Sequence, residues 1–138
     1  MEAYRYVRAE DQALPSTDPG PLDVAPLCGI WVNTNTDTRG IEKVLVRQSG
    51  GKLLVRVIAA GPAEAIDWGE TEARAVYAKD ATSKVGMAFE ALYEFASVQS
   101  LLQANLSLGL LVVAGLNTFK DDSGRSNYFG REFYYRAK

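Results

Sequence analysis

The feature that most constrains this chain is an alternation of apolar and polar residues with a period of two, repeated in short runs from Gly29 to Arg136. That period sends successive side chains to opposite faces of an extended strand. The runs fall at residues 30–34, 41–48, 52–60, 67–78, 84–95, 98–108, 110–120 and 127–136, rich in β-branched and aromatic residues and parted by Gly, Asp, Ser and Asn. Ser49, Gly50 and Gly51 predict a tight hairpin, because glycine accepts a positive φ. Asp121, Asp122, Ser123 and Gly124 predict another. Residues 81–91 are alanine-rich, yet Val85, Met87, Phe89, Ala91, Tyr93 and Phe95 alternate, which predicts a strand rather than a helix. About eight antiparallel strands with short connections leave two free edges unless the sheet closes, and closure removes that hazard. The expected fold is therefore all-β, an up-and-down antiparallel barrel of about eight strands.

A chain of 138 residues with 47% hydrophobic and 23% charged side chains can bury one core without disulfides or metals. The prolines at 15, 19, 21 and 26 oppose regular structure over residues 1–27, which are expected to form an arm ahead of a barrel domain at 28–138. Tyr4, Tyr6 and Val7 are too apolar for a purely solvated tail and predict packing on the barrel or on a neighbouring subunit.

Several function classes fall away. There is no histidine, so neither a Ser-His-Asp triad nor a Cys-His dyad can be built. Cys28 is the one cysteine and gives no disulfide, zinc site or iron–sulfur ligand set. No glycine-rich loop leads from a strand into a helix, so no nucleotide cofactor is expected, and the sequence calls for no cofactor or metal at all. A formal net charge of −2 with intermixed signs offers no field for nucleic acid, and Arg125 and the arginines of 131–136 read as a solvated face. The first residues lack the apolar run of a secretory signal or membrane span, which predicts a cytoplasmic location and no membrane partner.

On 67–78 one face carries Gly69, Thr71, Ala73, Ala75 and Tyr77, and the other Trp68, Glu70, Glu72, Arg74 and Val76. Taken as internal, the small face leaves space opposite Met87, Phe89, Tyr93 and Phe95 that a close-packed core would fill. Leu102, Ala104, Leu106 and Leu108 add apolar surface, and Gly115, between Val113 and Asn117, lets the strand bend or makes room for a bound molecule. The residues expected to line that space are Trp31, Ala73, Tyr77, Phe89, Tyr93 and Leu106. Asp67 and Glu70 lie on opposite strand faces and read, like Glu90 and Glu94, as solvated carboxylates. No catalytic residue is assigned.

Gly29, Ile30 and Trp31, opening the first strand of a meandering barrel, resemble the Gly-x-Trp pattern of the calycins, the superfamily of lipocalins, fatty-acid-binding proteins and avidins. The resemblance implies that Trp31 closes one barrel end and that a late arginine, Arg136 or Arg131, packs over its ring. Asn33, two residues after Trp31, is similar to an avidin pattern, but the biotin-binding motifs are absent.

The function these features predict is binding of a hydrophobic small molecule inside the barrel. The first alternative is a cofactor-independent cyclase or isomerase that folds a polyene or polyketide-like substrate, using tyrosine hydroxyls and proximity. The second is a structural role without ligand, in which strand faces and the arm make a homodimer.

Overall fold

The structure is a computed structural model that describes residues 22–138. Nine strands follow in order: β1 (Gly29–Asn33), β2 (Ile41–Ser49), β3 (Lys52–Ala59), β4 (Ile66–Glu72), β5 (Ala75–Ala78), β6 (Gly86–Glu94), β7 (Val98–Ser107), β8 (Leu110–Phe119) and β9 (Tyr128–Arg136). They form one antiparallel sheet in the order β4-β3-β2-β1-β9-β8-β7-β6-β5, so the first strand pairs with the last and the meander curls into a barrel. The alanine-rich stretch is strand, as the alternation predicts: Phe89, Ala91 and Tyr93 of β6 all point into the core.

Residues 67–78, read from sequence as one strand, serve two neighbours in turn. β4 pairs with β3 and β5 with β6. Between them the Ala73 N–H donates to Leu53 O at 2.8 Å and the Arg74 N–H to Glu90 O at 2.9 Å. The sheet's two edges are thus consecutive in the chain and joined by a single peptide unit, which is why nine strands appear where about eight are expected. The irregularity also exchanges the faces. Thr71 and Ala73 are half-buried, but beyond Arg74 it is Val76 that packs on the core, while Tyr77 turns out to solvent, its hydroxyl donating to Glu90 Oε1 at 2.7 Å.

Turn chemistry sets the hairpins. Gly50 (φ 56°) and Gly51 (φ 80°) close β2–β3 as expected. The β7–β8 turn places Leu108 (φ 51°) and Gly109 (φ 81°) in the left-handed region, and Leu108, expected as inward apolar surface, is fully exposed at the tip. The two-residue geometry needs positive φ at both positions, and the strand ends at Ser107 to supply it.

One end of the barrel is sealed. A 3-10 turn, Ala25–Leu27, packs beneath Trp31, and both Leu27 and Trp31 are buried. The indole Nε1–H donates to Leu27 O at 2.9 Å. Arg136 lies over the ring, its guanidinium carbon 4.7 Å from the centroid, and its Nη2 donates to Pro26 O. The resemblance left Arg136 and Arg131 as alternatives; Arg136 takes the place, and Arg131 lies over Phe133. Asp23 ties the 3-10 turn to the β5–β6 connection, receiving the Gly86 N–H and donating to Lys84 O, both at 2.7 Å. The rest of the expected arm, with Tyr4, Tyr6 and Val7, lies outside the described residues.

Above the plug, Val44, Val46, Val55, Val57, Phe89 and Leu111 fill the barrel at close packing. On the outer face of β8 and β9, Leu116, Phe129, Phe133 and Tyr135 are exposed. No helix among the described residues is long and apolar enough to cross a membrane.

Candidate functional site: a cup at the open end of the barrel

At the end opposite Trp31 the barrel opens into a cavity of about 550 Å³. Strand direction explains the location. The starts of β2, β4, β7 and β9 and the ends of β3, β6 and β8 meet there, and among the described residues no 3-10 turn covers it.

The β8–β9 wall can be read rung by rung from the mouth inward: Asn117 faces Tyr128, Gly115 faces Gly130, Val113 faces Glu132, and Leu111 faces Tyr134. The glycine pair bares the backbone on the cavity side. A Cβ on Gly130 would meet nothing within 4 Å, and one on Gly115 only Asn117 Nδ2 at 3.6 Å and Leu102 Cδ2 at 3.7 Å. Both glycines therefore border open space.

The opposite wall is aromatic. Trp68 packs edge-on against Tyr93 and Phe95, with ring centroids 5.2 Å away in each case. Trp68 is the extra residue of a bulge where the β3–β4 register shifts, and Gly69 beside it takes φ 87°. The Tyr93 hydroxyl donates to this corner, 2.8 Å from Gly69 O and 3.0 Å from Val55 O. Burial pushes the Tyr93 phenol up to about 12.

Polar and charged groups share the lining with the apolar walls, among them Arg39, Asp67, Arg125, Arg131 and Glu132. The Ser100 hydroxyl donates to Asn117 Oδ1 at 2.5 Å, leaving the Asn117 NH₂ without a hydrogen bond among the described residues. Asn33 and Tyr134 serve the frame: the Asn33 Nδ2–H and the Tyr134 hydroxyl both donate to Ile41 O at 2.9 Å. Burial, and next the negative charge of Glu132, raises the Tyr134 phenol above its ordinary range. Glu132 is half-buried and lines the cup, accepting from Thr38 Oγ1 at 2.9 Å. Gly40 lets the loop close on that carboxylate, since a Cβ there would stand 3.0 Å from Glu132 Oε1. Among the described residues no Lys or Arg pairs with Glu132.

None of the six residues expected to line the interior is among those lining this cup. Trp31 belongs to the plug, Phe89 and Tyr93 to the packed core beside and below the cavity, and Ala73 and Leu106 are partly buried against that core. Tyr77 is outside. The gap expected beside the small face of 67–78 is filled by Tyr93, whose hydroxyl reaches across to Gly69 O. The cup is built instead from Trp68, Gly115, Asn117, Tyr128, Gly130 and Glu132. Of these, Gly115 was marked by its place inside a strand. Gly130 and Glu132 share a face with Tyr134, a spacing visible in the sequence, but only the β8–β9 register brings Gly130 opposite Gly115.

Cys28 has no chemistry to offer here. Burial pushes its thiol up, and its Sγ–H donates to Val24 O at 3.5 Å at the sealed end. Comparison with protein-family models, with curated proteins and with solved structures finds no match to this chain.

Proposed function

We propose that the protein binds an apolar small molecule in the cup at the open end of its barrel. The observation that carries this reading is an unfilled cavity of about 550 Å³ walled by Ile41, Trp68, Phe95, Leu102 and Phe119, with bare backbone at Gly115 and Gly130. That volume lies within the roughly 300–1,000 Å³ of small-molecule sites, and apolar walls with a few fixed polar groups are their usual lining. Burial of apolar surface, at about 25 cal/mol per Å², supplies affinity, and the Ser100–Asn117 pair and Glu132 supply orientation. The Trp31–Arg136 plug supports reading the barrel as calycin-like, a binding fold open at one end.

The test is uptake of an environment-sensitive apolar dye, followed by fluorescence. Gly130→Phe projects a ring into the open space and should abolish uptake. Because Phe129 and Phe133 are exposed on the outside and also attract such dyes, Phe129→Ser/Phe133→Ser is the control and should leave the cup-bound signal in place. Dye binding that survives Gly130→Phe and disappears in the double variant would place the signal on the outer face and remove the reading.

A further inference from the structure

We propose that the cup selects organic cations: an amphipathic amine whose ammonium group pairs with Glu132 while its apolar body lies along Gly115 and Gly130 towards the aromatic mouth. This rests on the binding function above and specifies the chemistry of the ligand's polar end.

The argument starts from an imbalance. The other paired carboxylates of the barrel have partners outside the cup: Asp67 bonds Arg56, Glu70 bonds Arg47, and Glu72 lies near Lys52. At the mouth, Asp121 holds Arg125 at 2.9 Å. Two carboxylates line the cup, Asp67 and Glu132; Asp67 is paired with Arg56, whereas Glu132 has one oxygen bonded by Thr38 and no cation paired with it among the described residues. Withdrawing a carboxylate from water without a partner costs free energy, and a bound cation restores it.

Three arginines, Arg39, Arg125 and Arg131, line the cup, and none is paired with Glu132. Arg125 is stacked on Phe119 at 4.1 Å and bonded to Asp121 and Ser123. Arg131 also lines the cup, its guanidinium carbon 5.6 Å from the Phe133 ring centroid, and forms no ion pair with Glu132. Arg39 is exposed at the rim and forms no ion pair with Glu132.

The surroundings suit the apolar body of an amine held at Glu132. Above Glu132 the wall carries no side chain until Tyr128, whose ring centroid is 6.1 Å from that of Phe119. Trp68, Phe119 and Tyr128 line the same cup and give the ligand's apolar body aromatic surface to pack on. A methylene chain laid over the glycine pair from Glu132 runs towards those rings along bare backbone. The Asn117 NH₂, opposite Tyr128, remains to donate to an acceptor further along the ligand.

The experiment is calorimetric titration with octylamine, octanol and octanoate, which share one apolar body and differ in the head. At pH 7 the amine is a cation and the acid an anion. Wild type should bind octylamine at least about tenfold more tightly than octanol, with octanoate weakest. Glu132→Gln keeps the acceptor for Thr38 and should erase the amine's advantage while leaving octanol affinity unchanged. Glu132→Asp keeps the charge and should retain part of the preference, which separates a charge effect from a folding defect. Equal binding of amine and alcohol, or a preference that survives Glu132→Gln, overturns the proposal. So does tightest binding of octanoate with its loss in Arg39→Gln, which would mark the cup as an anion site. An apolar dye that binds the cup and is not displaced by octylamine overturns the cation reading alone. No dye uptake and no binding of any of the three removes the cup as a binding site altogether.

Discussion

Arg136 covers the indole of Trp31 from the last strand, 4.7 Å from ring centroid to guanidinium carbon, and is opposite it in the β1–β9 ladder. The two residues seal the barrel together, and they are not equivalent. Trp31→Ala removes a buried aromatic whose site is held by Leu27 and Val44, so it should destabilise the domain by about 3–5 kcal/mol in urea denaturation. Arg136→Ala loses a cation–π contact at the surface and should cost only about 0.5–2 kcal/mol. Trp31→Ala costing under about 1 kcal/mol would show that the plug does not hold the fold.

Leu108 gives a prediction of opposite sign. It is fully exposed and holds φ 51° in a two-residue turn before Gly109, a conformation that asparagine adopts far more readily than leucine. Leu108→Asn should raise stability by about 0.5–1 kcal/mol, read as a higher thermal midpoint. A lower midpoint would mean that Leu108 makes contacts outside the described barrel.

Alkaline pH should act through Tyr93 and Tyr134. Burial raises the Tyr93 phenol from its ordinary value to about 12 and moves Tyr134 the same way, so in both the folded state favours the neutral, protonated ring. A group whose folded pKa is raised contributes stability that is complete below the unfolded pKa of about 10 and is lost as pH climbs through the folded value. Stability should therefore hold to about pH 10 and decline towards pH 12. Tyr93→Phe should cost about 1–2 kcal/mol at pH 7 by leaving Gly69 O without its donor, and should flatten the alkaline decline. An unchanged decline in Tyr93→Phe would assign the effect to other groups.

Gly130 separates room from rigidity. With open space beyond its Cα and no left-handed φ, Gly130→Phe should change stability by less than about 1 kcal/mol while closing the cup to dye. Gly69→Ala is the contrast: at φ 87° a Cβ is strained whatever the space around it, and a loss of about 1 kcal/mol or more is expected. Thermal melts of the two variants side by side test both statements.

The alternation along 84–95 and the glycines of 49–51 made the strands legible, because period and turn chemistry are local properties of the chain. The inner face was harder to read wherever the period broke. Trp68 looked external because one bulge residue shifts the count, and Tyr77 looked internal because the exchange of partners at Ala73 and Arg74 reverses it. The bulge turns Trp68 inward while Gly69, Thr71 and Ala73 keep the expected face, whereas the exchange of partners at Ala73 and Arg74 moves the later side chains to the other face. Glu132 escaped notice among neighbouring charges, since whether a carboxylate on β9 faces solvent or cavity depends on its register with Val113.

The pairing of first strand with last also governs how the molecule assembles. Strands β1 to β4 and β5 to β9 can each zip up from hairpins between chain neighbours, whereas the contacts that complete the ring reach as far as Pro26 and Arg136, a separation of 110 residues. Loop closure over that length is costly and slow, so the ring should complete late, after both meanders exist. Contacts that form after the folding barrier leave the folding rate alone and appear in the rate of escape. The Trp31–Arg136 seal is then a kinetic latch: its loss should hasten unfolding many-fold and hardly slow refolding.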